Sequence, residues 1–498
     1  MATHLEPSGV SDLANDTDLA DDAVGPPSHS RTWQPTPATF IWLFALAWGL
    51  RIGLAPLSDN SLLTHIATGR IIFDTGFPHS DPYLFTPHEP SWVVQSCLGS
   101  VIYWSLVKAW GMGALMAFNA ALTALLAILI VRLARPADGF VARLGLVILT
   151  LGVGASAWAE RPLMIGLVLM AVLLIAAEDG LDPRWLVPVM FVWVNSHGSF
   201  PLGIVALGLL WAGRRLDGGD GRVEWRCLKW AAVGTAVAAL NPYGPKLLLF
   251  PISMLQRSDV LRTILEWQAP TYDTIWQKLF LVQIAVAVVV LVRRPTWRLA
   301  LPFVVFVPAS LYSARNILVA SLVLTAAMAP CLAGVGDLKA NARLSSTPLA
   351  WLGAFVMAAL CVVTLATPLG KPALDLTSYP VAALAYLDAN DLVPPADGSE
   401  GRLLAQDFVG NLREYLDGPV RDVFIDDRAE VIGEQASADY INLLGVHPNW
   451  RDALDRNDIE VIVWQKDFAL AAILAESPDW QIRYSDPQWI VAVRRPPA

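Results

Sequence analysis

The sequence predicts a helical protein that crosses a membrane many times and ends in a soluble α/β domain. Of its 498 residues, 55% are hydrophobic and only 16% are charged, with a mean hydropathy of +0.48. A soluble domain is about 25% charged. Long apolar runs recur between residues 38 and 370, and after residue 370 short β-type segments alternate with helical ones. These observations exclude a soluble enzyme, a disordered chain and a fibrous repeat.

Residues 1–37 are predicted to form a disordered tail on the cytoplasmic side. They contain six acidic residues, one Arg and few large apolar side chains, so they cannot bury enough apolar surface to fold. No basic start is followed at once by a short apolar run, as it would be in a signal peptide. The first apolar segment, 38–57, is therefore predicted to be a retained membrane anchor.

The apolar middle of the chain, 38–370, is predicted to be the transmembrane domain. A bilayer needs about 20 residues of helix, and several of the runs are shorter, so some helices must be tilted, broken or buried among others. We predict about eleven spans, with thirteen as the alternative if 96–110 and 245–256 also cross. After the first span, the apolar runs are 113–131, 142–158, 162–177, 185–196, 200–213, 228–241, 278–292, 299–313, 316–335 and 348–369.

Clusters of Lys and Arg in the short loops predict the orientation, because such loops stay in the cytoplasm. Placing the clusters at 132–143, 214–229, 293–298 and 339–343 inside puts the polar loop 58–95 and everything after residue 370 outside. The protein is then a multi-pass protein of the plasma membrane, in contact with membrane lipids. Its N-terminus is cytoplasmic and its C-terminal domain is extracytoplasmic.

The C-terminal part, 371–498, is predicted to be a small α/β domain with a mixed sheet. It carries 22 acidic and 11 basic residues, whereas 38–370 carries 16 acidic and 23 basic ones. The acidic ends argue against nucleic acid as a partner. The predicted strands are 402–406, 420–425, 460–464, 481–484 and 489–493, and the predicted helices are 379–392, 433–445, 449–456 and 467–475.

The outer loop 58–95 concentrates polar residues directly after the first span. Apolar residues recur at helical spacing between 62 and 71, which predicts a short amphipathic helix lying on the membrane surface. Asp59 precedes that helix. It could act as a general base toward a hydroxyl, or simply cap the helix, and the spacing alone favours the cap. Further candidates for substrate binding in the loop are His65, Arg70, His79 and Asp81.

Two connections between spans hold unexpected polar residues. Glu160 and Arg161 form a charge pair where an apolar loop would serve; Arg161 either snorkels to the interface or has a functional role. Asn195 and His197 interrupt an apolar stretch of nearly thirty residues. That break is either a hairpin lining a water-filled cavity or a plain tight turn, and the two are evenly balanced.

Arg315 and Glu266 complete the set of candidate residues. Arg315 lies at the outer end of a span, where it could hold a lipid phosphate in a bidentate fork or anchor any phospholipid headgroup, the commoner role. Glu266 is followed by Trp267, and an acid beside an aromatic ring suits stacking against a sugar as well as an interfacial belt.

Taken together, these stretches resemble bacterial polytopic membrane proteins of the GT-C glycosyltransferase superfamily. The resemblance covers most of residues 38–498, including the tail segment 423–428, and it depends on the order of several short signatures. These are Asp59 after the first span, His65 to Gly69, Pro78 to Pro82, Arg161-Pro162, Asn195 to Gly198, Asn241-Pro242-Tyr243-Gly244 and Arg315.

The resemblance implies transfer of a sugar from a polyprenyl-phosphate donor to a glycan, lipid or protein acceptor on the outer face. Asp59 matches the family's catalytic acid in the first outer loop. Arg161 or Arg315 would stabilise the departing phosphate, with His197 or Arg70 as further donors. The family's paired acids are not matched, because Ser58-Asp59-Asn60 offers one carboxylate. The cofactor is thus unknown: a divalent cation is compatible with the loop but not indicated.

Two other functions compete with a transferase. A non-catalytic scaffold, or a degenerate relative, in envelope assembly is favoured by the missing paired acid and by the acidic outer domain. A transporter ranks third, because charges within the spans are few and no inverted repeat is present in the sequence. The transferase hypothesis requires that Asp59, Arg161, His197 and Arg315 meet at one cavity.

Overall fold

The computed structural model describes residues 35–155, 157–179, 181–257, 265–342, 347–366, 370–395, 397–420 and 422–496. These residues form one compact unit. The predicted disordered tail, 1–37, lies outside the described residues except for its last three. The boundary predicted at residue 370 between the membrane domain and the outer domain stays a prediction.

The apolar part of the chain folds into α-helices joined by short loops. Their bounds are α1 Pro37–Gly53, α2 Asn60–Thr75, α3 Cys97–Trp110, α4 Met112–Leu133, α5 Phe140–Gly154, α6 Leu163–Asp179, α7 Leu186–Ser196, α8 Phe200–Leu216, α9 Arg222–Val237, α10 Pro245–Gln256, α11 Ile275–Arg293, α12 Trp297–Tyr312, α13 Ile317–Cys331 and α14 Thr347–Ala366.

Three of the described helical segments are both long and apolar enough to cross a membrane: α4, α11 and Ala314–Cys331, which contains α13. Five more are apolar but have only 10–17 residues: α1, α5, α12, most of α6 and the last part of α14. Neither group includes α3 or α10, the two segments whose crossing the sequence leaves open. The molecule is thus a helical membrane protein as predicted, and the number of its crossings stays a prediction.

Buried ion pairs mark one end of the helix bundle. Arg298, in the first turn of α12, pairs with Glu178 near the end of α6, and its Nη1 lies 2.7 Å from Glu224 Oε1 in α9. Arg214 Nε, near the end of α8, lies 3.1 Å from the same Glu224 oxygen. The connections before α6, after α7 and after α12 must therefore lie at the opposite end of the bundle. Those connections carry Arg161, His197 and Arg315.

The C-terminal part is an α/β structure with a four-stranded mixed sheet, as predicted. The strand order is β1-β2-β4-β3, with β1 parallel to β2 and the other neighbours antiparallel. The elements are α15 Val381–Ala389, β1 Arg402–Ala405, α16 Asp407–Asp417, α17 Glu434–Gly445, α18 Trp450–Arg456, β2 Ile459–Gln465, α19 Ala469–Glu476, β3 Trp480–Ser485 and β4 Trp489–Arg494.

The strand predicted at 420–425 is wrong. Within the described part of this segment, Val423 makes a single isolated bridge to Leu84 in the first outer loop. The Val423 N–H donates to the Tyr83 carbonyl at 2.9 Å, and the Phe85 N–H donates to the Val423 carbonyl at 3.2 Å. Val423, Phe424 and Ile425 are buried. Their apolar side chains are therefore explained by packing against that loop and do not indicate a strand of the sheet.

Helix α2 forms as predicted, but protein rather than a lipid surface buries its apolar side. Leu62, Leu63 and Ile66 are at most 1% exposed, and the helix packs against α3 on one side and α16 on another. Gly69 allows the approach to α3, because a Cβ at this position would lie 2.1 Å from the Ser100 carbonyl oxygen. Helix α2 therefore joins the helix bundle to the C-terminal domain.

Candidate functional site

A cavity of about 1020 Å³ lies between α2, the loops that carry Arg161, His197 and Arg315, and the C-terminal domain. Its walls include five of the residues predicted from sequence, and the C-terminal domain adds five charged ones. Apolar side chains of α8, α10 and α13 line another part, among them Leu202, Met254 and Val319. The predicted residues in its walls are His65, Arg161, His197, Glu266 and Arg315, and the additional ones are Asp407, Asp426, Asp427, Arg428 and Glu430.

Arg161 is held by carboxylates on two sides. Its Nε lies 2.8 Å from Asp59 Oδ2 and 3.0 Å from Asp59 Oδ1, and its Nη1 lies 2.6 Å from Glu266 Oε1. Burial opposes the positive charge, but Asp59, Glu266 and Asp427 outweigh it and raise the pKa of Arg161. Arg161 therefore presents a fixed, permanently charged guanidinium to the cavity.

Arg315 and His197 place two hydrogen-bond donors side by side. Arg315 Nη2 lies 3.4 Å from His197 Nε2, and the guanidinium lies 5.0 Å from the centre of the Trp267 ring. His197 Nδ1 accepts the Ser199 N–H at 3.1 Å, so the neutral ring carries its proton on Nε2. Burial, and then the charge of Arg315, lower the pKa of His197 and keep it neutral. Glu266 Oε2 lies 4.0 Å from Arg315 Nη1, at the limit of an ion pair, so Nη2 and the His197 Nε2–H remain directed at the cavity, and two adjacent donors favour an anion there.

His65 lines the same cavity from α2. Its Nδ1 lies 3.2 Å from Ser100 Oγ, and its ring meets Tyr103 edge-on at 6.3 Å. Burial, together with the positive charges of Arg161 and Arg428, lowers the pKa of His65 to about 3. His65 is therefore neutral at physiological pH and can serve as a hydrogen-bond partner but not as a positive charge.

Asp59 and Glu160 lie at a second, smaller cavity of about 600 Å³, together with Trp158, Tyr379 and Phe408. Asp59 caps α2, as the spacing favours, since its Oδ1 accepts the Ser61 N–H at 2.9 Å. Burial, and also the charge of Asp59, raise the pKa of Glu160. The two cavities share two lining residues. Asp59 thus does not line the larger cavity itself and acts on it only by holding Arg161, which does.

The remaining predicted residues lie outside the wall of the larger cavity. Arg70 donates to the Glu414 carbonyl at 2.7 Å, and exposed His79 contacts the Tyr243 ring at 5.5 Å. Asn195 is buried and donates to the Phe191 carbonyl. The Asn195–His197 break is a tight turn between α7 and α8, and its last residues also line the cavity. The break is therefore a tight turn that ends at the cavity wall, and a water-filled cavity stays a prediction.

Asp81 belongs to a buried charge network around Arg428. Arg428 pairs with Asp81 Oδ1 at 2.6 Å, with Glu414 Oε1 at 3.2 Å and with Asp426. Its guanidinium also lies 5.2 Å from the centre of the Tyr83 ring and 4.6 Å from that of the Trp92 ring. Burial opposes the charge of Arg428, but its three acidic partners raise its pKa. This network fixes the segment 426–428 against the first outer loop.

Asp427 is the functional candidate that the sequence analysis missed. Its carboxylate accepts hydrogen bonds from the hydroxyls of Ser61 and Thr64, the latter at 3.3 Å. Burial, with added repulsion from Asp426 and Asp59, raises the pKa of Asp427 to about 7. The two acids and the arginine that directly follow the apolar run 423–425 were a possible sign of a functional site in the sequence. The contact of Asp427 with α2 could not be predicted, because Ser61 and Thr64 are more than 360 positions away in the chain.

The architecture has a counterpart among solved structures. The chain is similar to the crystal structure of the Archaeoglobus fulgidus oligosaccharyltransferase in the apo form, with a TM-score of 0.53 and 11% sequence identity, over 85% of this chain and 69% of that chain. This chain has a GT-C-like fold. No protein-family model matches the sequence, and no curated protein matches it. This likeness supports the fold that the resemblance implies, and membership of a particular family stays a prediction.

In this GT-C-like fold, the acids at the cavities are paired mainly with arginines. Among the residues that the structure describes, no group of three or more His, Cys, Asp or Glu side chains is placed to hold a metal ion. Asp59 and Glu266 both bind Arg161, and Asp426 binds Arg428. The chemistry that the described side chains themselves support is anion binding by arginine and proton transfer by a carboxylate.

Proposed function

We propose that this protein is a membrane glycosyltransferase that moves a sugar from a polyprenyl-phosphate donor to an acceptor hydroxyl on the outer face of the membrane. The observation that carries the proposal is the larger cavity, in which Arg161, Arg315 and His197 share the wall with apolar side chains of α8, α10 and α13. The GT-C-like fold of an oligosaccharyltransferase supports it. The acceptor is a glycan, a lipid or a protein.

The donor has a charged phosphate and an apolar isoprenoid chain, and the cavity offers a matching wall for each. The phosphate would lie beside Arg315 and the His197 Nε2–H, within the field of Arg161. Such charge-assisted hydrogen bonds are about twice as strong as neutral ones. The isoprenoid chain would follow the apolar side chains of the spans, among them Leu202 and Val319. A lipid-linked donor suits this face, because nucleotide sugars are confined to the cytoplasm.

The reaction needs a base on one side of the sugar and an anion site on the other. The acceptor hydroxyl gives its proton to a carboxylate while its oxygen bonds to the anomeric carbon. The bond from that carbon to the phosphate oxygen breaks, and its electron pair leaves with the polyprenyl phosphate. The charge that develops there lies next to Arg315 and Arg161, which stabilise it more than they stabilise the bound donor.

Transfer can be measured with purified protein in liposomes that contain a radiolabelled polyprenyl-phosphate hexose or pentose, supplied with solubilised envelope material. We expect label to move from the lipid phase to an acceptor. Arg315→Ala should lower the rate about tenfold or more, because a hydrogen bond to a charged group contributes about 1.5–3 kcal/mol.

The matched control is Arg294→Ala. Arg294 follows α11 at the opposite end of the bundle and donates to the carbonyls of Cys331 and Ala333. This variant should transfer at the wild-type rate. If the wild-type protein transfers label from neither the polyprenyl-phosphate hexose nor the pentose, the proposal is contradicted.

A non-catalytic scaffold is the second candidate, favoured by the engagement of Asp59 and Glu266 with Arg161. A scaffold would bind the lipid donor and leave it intact. The same liposomes separate the two functions, since retention of labelled donor by the protein without any transfer favours the scaffold. Transfer of label, lost with Arg315→Ala, favours the enzyme.

A further inference from the structure

We infer that Asp427, rather than Asp59, is the base that takes the proton of the acceptor hydroxyl, and that Asp59 is a positioning residue for Arg161. The inference rests on the proposed function and names the proton-transfer step within it. It follows from where the two carboxylates face and from which groups occupy their oxygens.

Asp59 has little capacity to accept a further proton. Its Oδ1 accepts the Ser61 N–H and the Arg161 Nε–H, and its Oδ2 accepts Arg161 Nε as well. The side chain is only 9% exposed and borders the smaller cavity. Protonation would break the ion pair that orients Arg161 and leave that charge uncompensated. Asp59 therefore suits the task of holding Arg161.

Asp427 has the opposite environment. It lies in the wall of the larger cavity, where the donor phosphate would bind, and its described side-chain partners are the hydroxyls of Ser61 and Thr64. A hydroxyl partner can yield its place to an acceptor hydroxyl at small cost, because one hydroxyl-to-carboxylate hydrogen bond replaces another. The pKa of about 7 makes the carboxylate a stronger base than an ordinary Asp and leaves it largely ionised just above neutral pH.

The neighbouring Arg428 does not neutralise Asp427, because the Arg428 guanidinium is directed at Asp426, Glu414 and Asp81. This arrangement keeps Asp427 basic while its backbone stays fixed. The titratable and charged groups around Asp427 are Asp59 and His65 from the first outer loop, Arg161 before α6, Asp407 and Glu414 on α16, and Asp426, Arg428 and Glu430 in its own loop.

In the step we assign, the proton passes from the acceptor oxygen to an Asp427 oxygen as the acceptor oxygen bonds to the anomeric carbon. The electron pair of the breaking bond leaves with the phosphate toward Arg315. Asp427 then returns its proton to water through the open cavity, and the departing polyprenyl phosphate carries away the negative charge.

The experiment is the transfer assay described above, run between pH 5 and pH 9. We expect the wild-type rate to rise with pH through about 7, because the ionised form of Asp427 is active. Asp427→Asn should lower kcat by about 10²–10⁴-fold while donor binding is retained. Asp427→Glu should restore part of the rate.

Two further variants move the pH profile in opposite directions. The Ser61 hydrogen bond lowers the pKa of Asp427 and the charge of Asp59 raises it. Ser61→Ala should therefore shift the rising limb to higher pH, and Asp59→Asn should shift it to lower pH and raise the KM for the donor. The control Asp455→Asn replaces an exposed acid that pairs with Arg494, and should behave as the wild type does.

The outcomes separate the inference from the proposed function. If Asp427→Asn transfers sugar at the full rate, or if Ser61→Ala does not shift the rising limb of the rate–pH profile, Asp427 is not the base. The proposed transferase function is unaffected by either result. Absence of transfer by the wild-type protein overturns the transferase itself. A loss of kcat in Asp427→Asn, combined with the two opposite shifts, supports the inference.

Discussion

Arg161 and Asp427 have different electrostatic roles in the site: Arg161 carries a permanent charge, and Asp427 exchanges a proton. Arg161 stays charged because Asp59 and Glu266 surround it, so it can bind an anion at any physiological pH. Asp427 gains and loses its proton near neutral pH because burial outweighs its hydrogen bonds. A site with one fixed charge and one exchangeable proton suits group transfer from a phosphate to a hydroxyl.

The raised pKa of Asp427 predicts an effect on stability that can be measured without any substrate. An acid whose pKa rises from 3.8 to about 7 on folding destabilises the fold as it ionises. The penalty is absent below about pH 4, grows as the pH rises and is complete above about pH 7. Asp427→Asn should therefore raise the unfolding midpoint at pH 8 and leave it nearly unchanged at pH 4.

Thermal unfolding of the detergent-solubilised protein across this pH range measures the effect. Asp455→Asn serves as the control, because its side chain is 66% exposed and the exchange should produce no such trend with pH. An unfolding midpoint for Asp427→Asn that stays below that of the wild type at pH 8 would show that the carboxylate is stabilising, contrary to its burial.

At the scale of elements, α2 decides whether the site exists. It carries Ser61, Thr64 and His65 to the cavity, and it is held between α3 and α16. The sequence predicts the helix correctly, since its apolar residues repeat at helical spacing. The same pattern fits a lipid surface and a protein partner equally well, so only the packing of α16 against it identifies what buries those side chains.

The packing of α2 against α3 should be sensitive to any side chain at position 69. A Cβ there would lie 2.1 Å from the Ser100 carbonyl and 2.7 Å from the Trp104 Cβ, so Gly69→Ala must separate α2 from α3. We expect a loss of about 1–3 kcal/mol of stability, as for other overpacked sites, and a reduced rate of transfer because the cavity wall shifts. The unfolding midpoint and the transfer assay measure the two effects.

Gly145→Ala is the matched control for this substitution. Gly145 lies inside α5, and apart from its chain neighbours and the backbone of that helix nothing lies within 4 Å of the point that an alanine Cβ would occupy there. The exchange should therefore be neutral or stabilise the helix by up to about 1 kcal/mol. Equal behaviour of the two alanine variants would mean that the close packing of α2 on α3 is not required.

At the scale of the whole molecule, the GT-C-like bundle has two chemically different ends. One carries the buried pairs of Arg298, and the other carries both cavities and the C-terminal domain. The basic loops predict that the first end is cytoplasmic. The same assignment puts the proposed active site on the outer face.

Cysteine labelling tests this orientation with two equally exposed acids. Asp220, between α8 and α9, is 67% exposed, and Asp455 in the C-terminal domain is 66% exposed. In intact cells, a membrane-impermeant maleimide should label Asp455→Cys, and should label Asp220→Cys only after permeabilisation. The wild type supplies the baseline for its four native cysteines. The reverse pattern would place the cavity in the cytoplasm.

The membrane class, the mixed sheet and the helix after Asp59 are predictable from the amino-acid sequence, because each depends on composition or on local periodicity. It also selected five of the residues that line the larger cavity, since polar groups at the ends of apolar runs are rare enough to be informative.

That Asp427 lies in the wall of the larger cavity and Asp59 does not follows from the packing of distant segments of the chain. Asp59 and Asp427 are both acids beside apolar segments, and nothing local separates them. Arg161, about a hundred residues from Asp59, neutralises Asp59, while Arg428 turns away from its neighbour Asp427 toward Asp81 and Glu414. The basicity of a carboxylate depends on its burial and its charged neighbours, and those neighbours are set by folding.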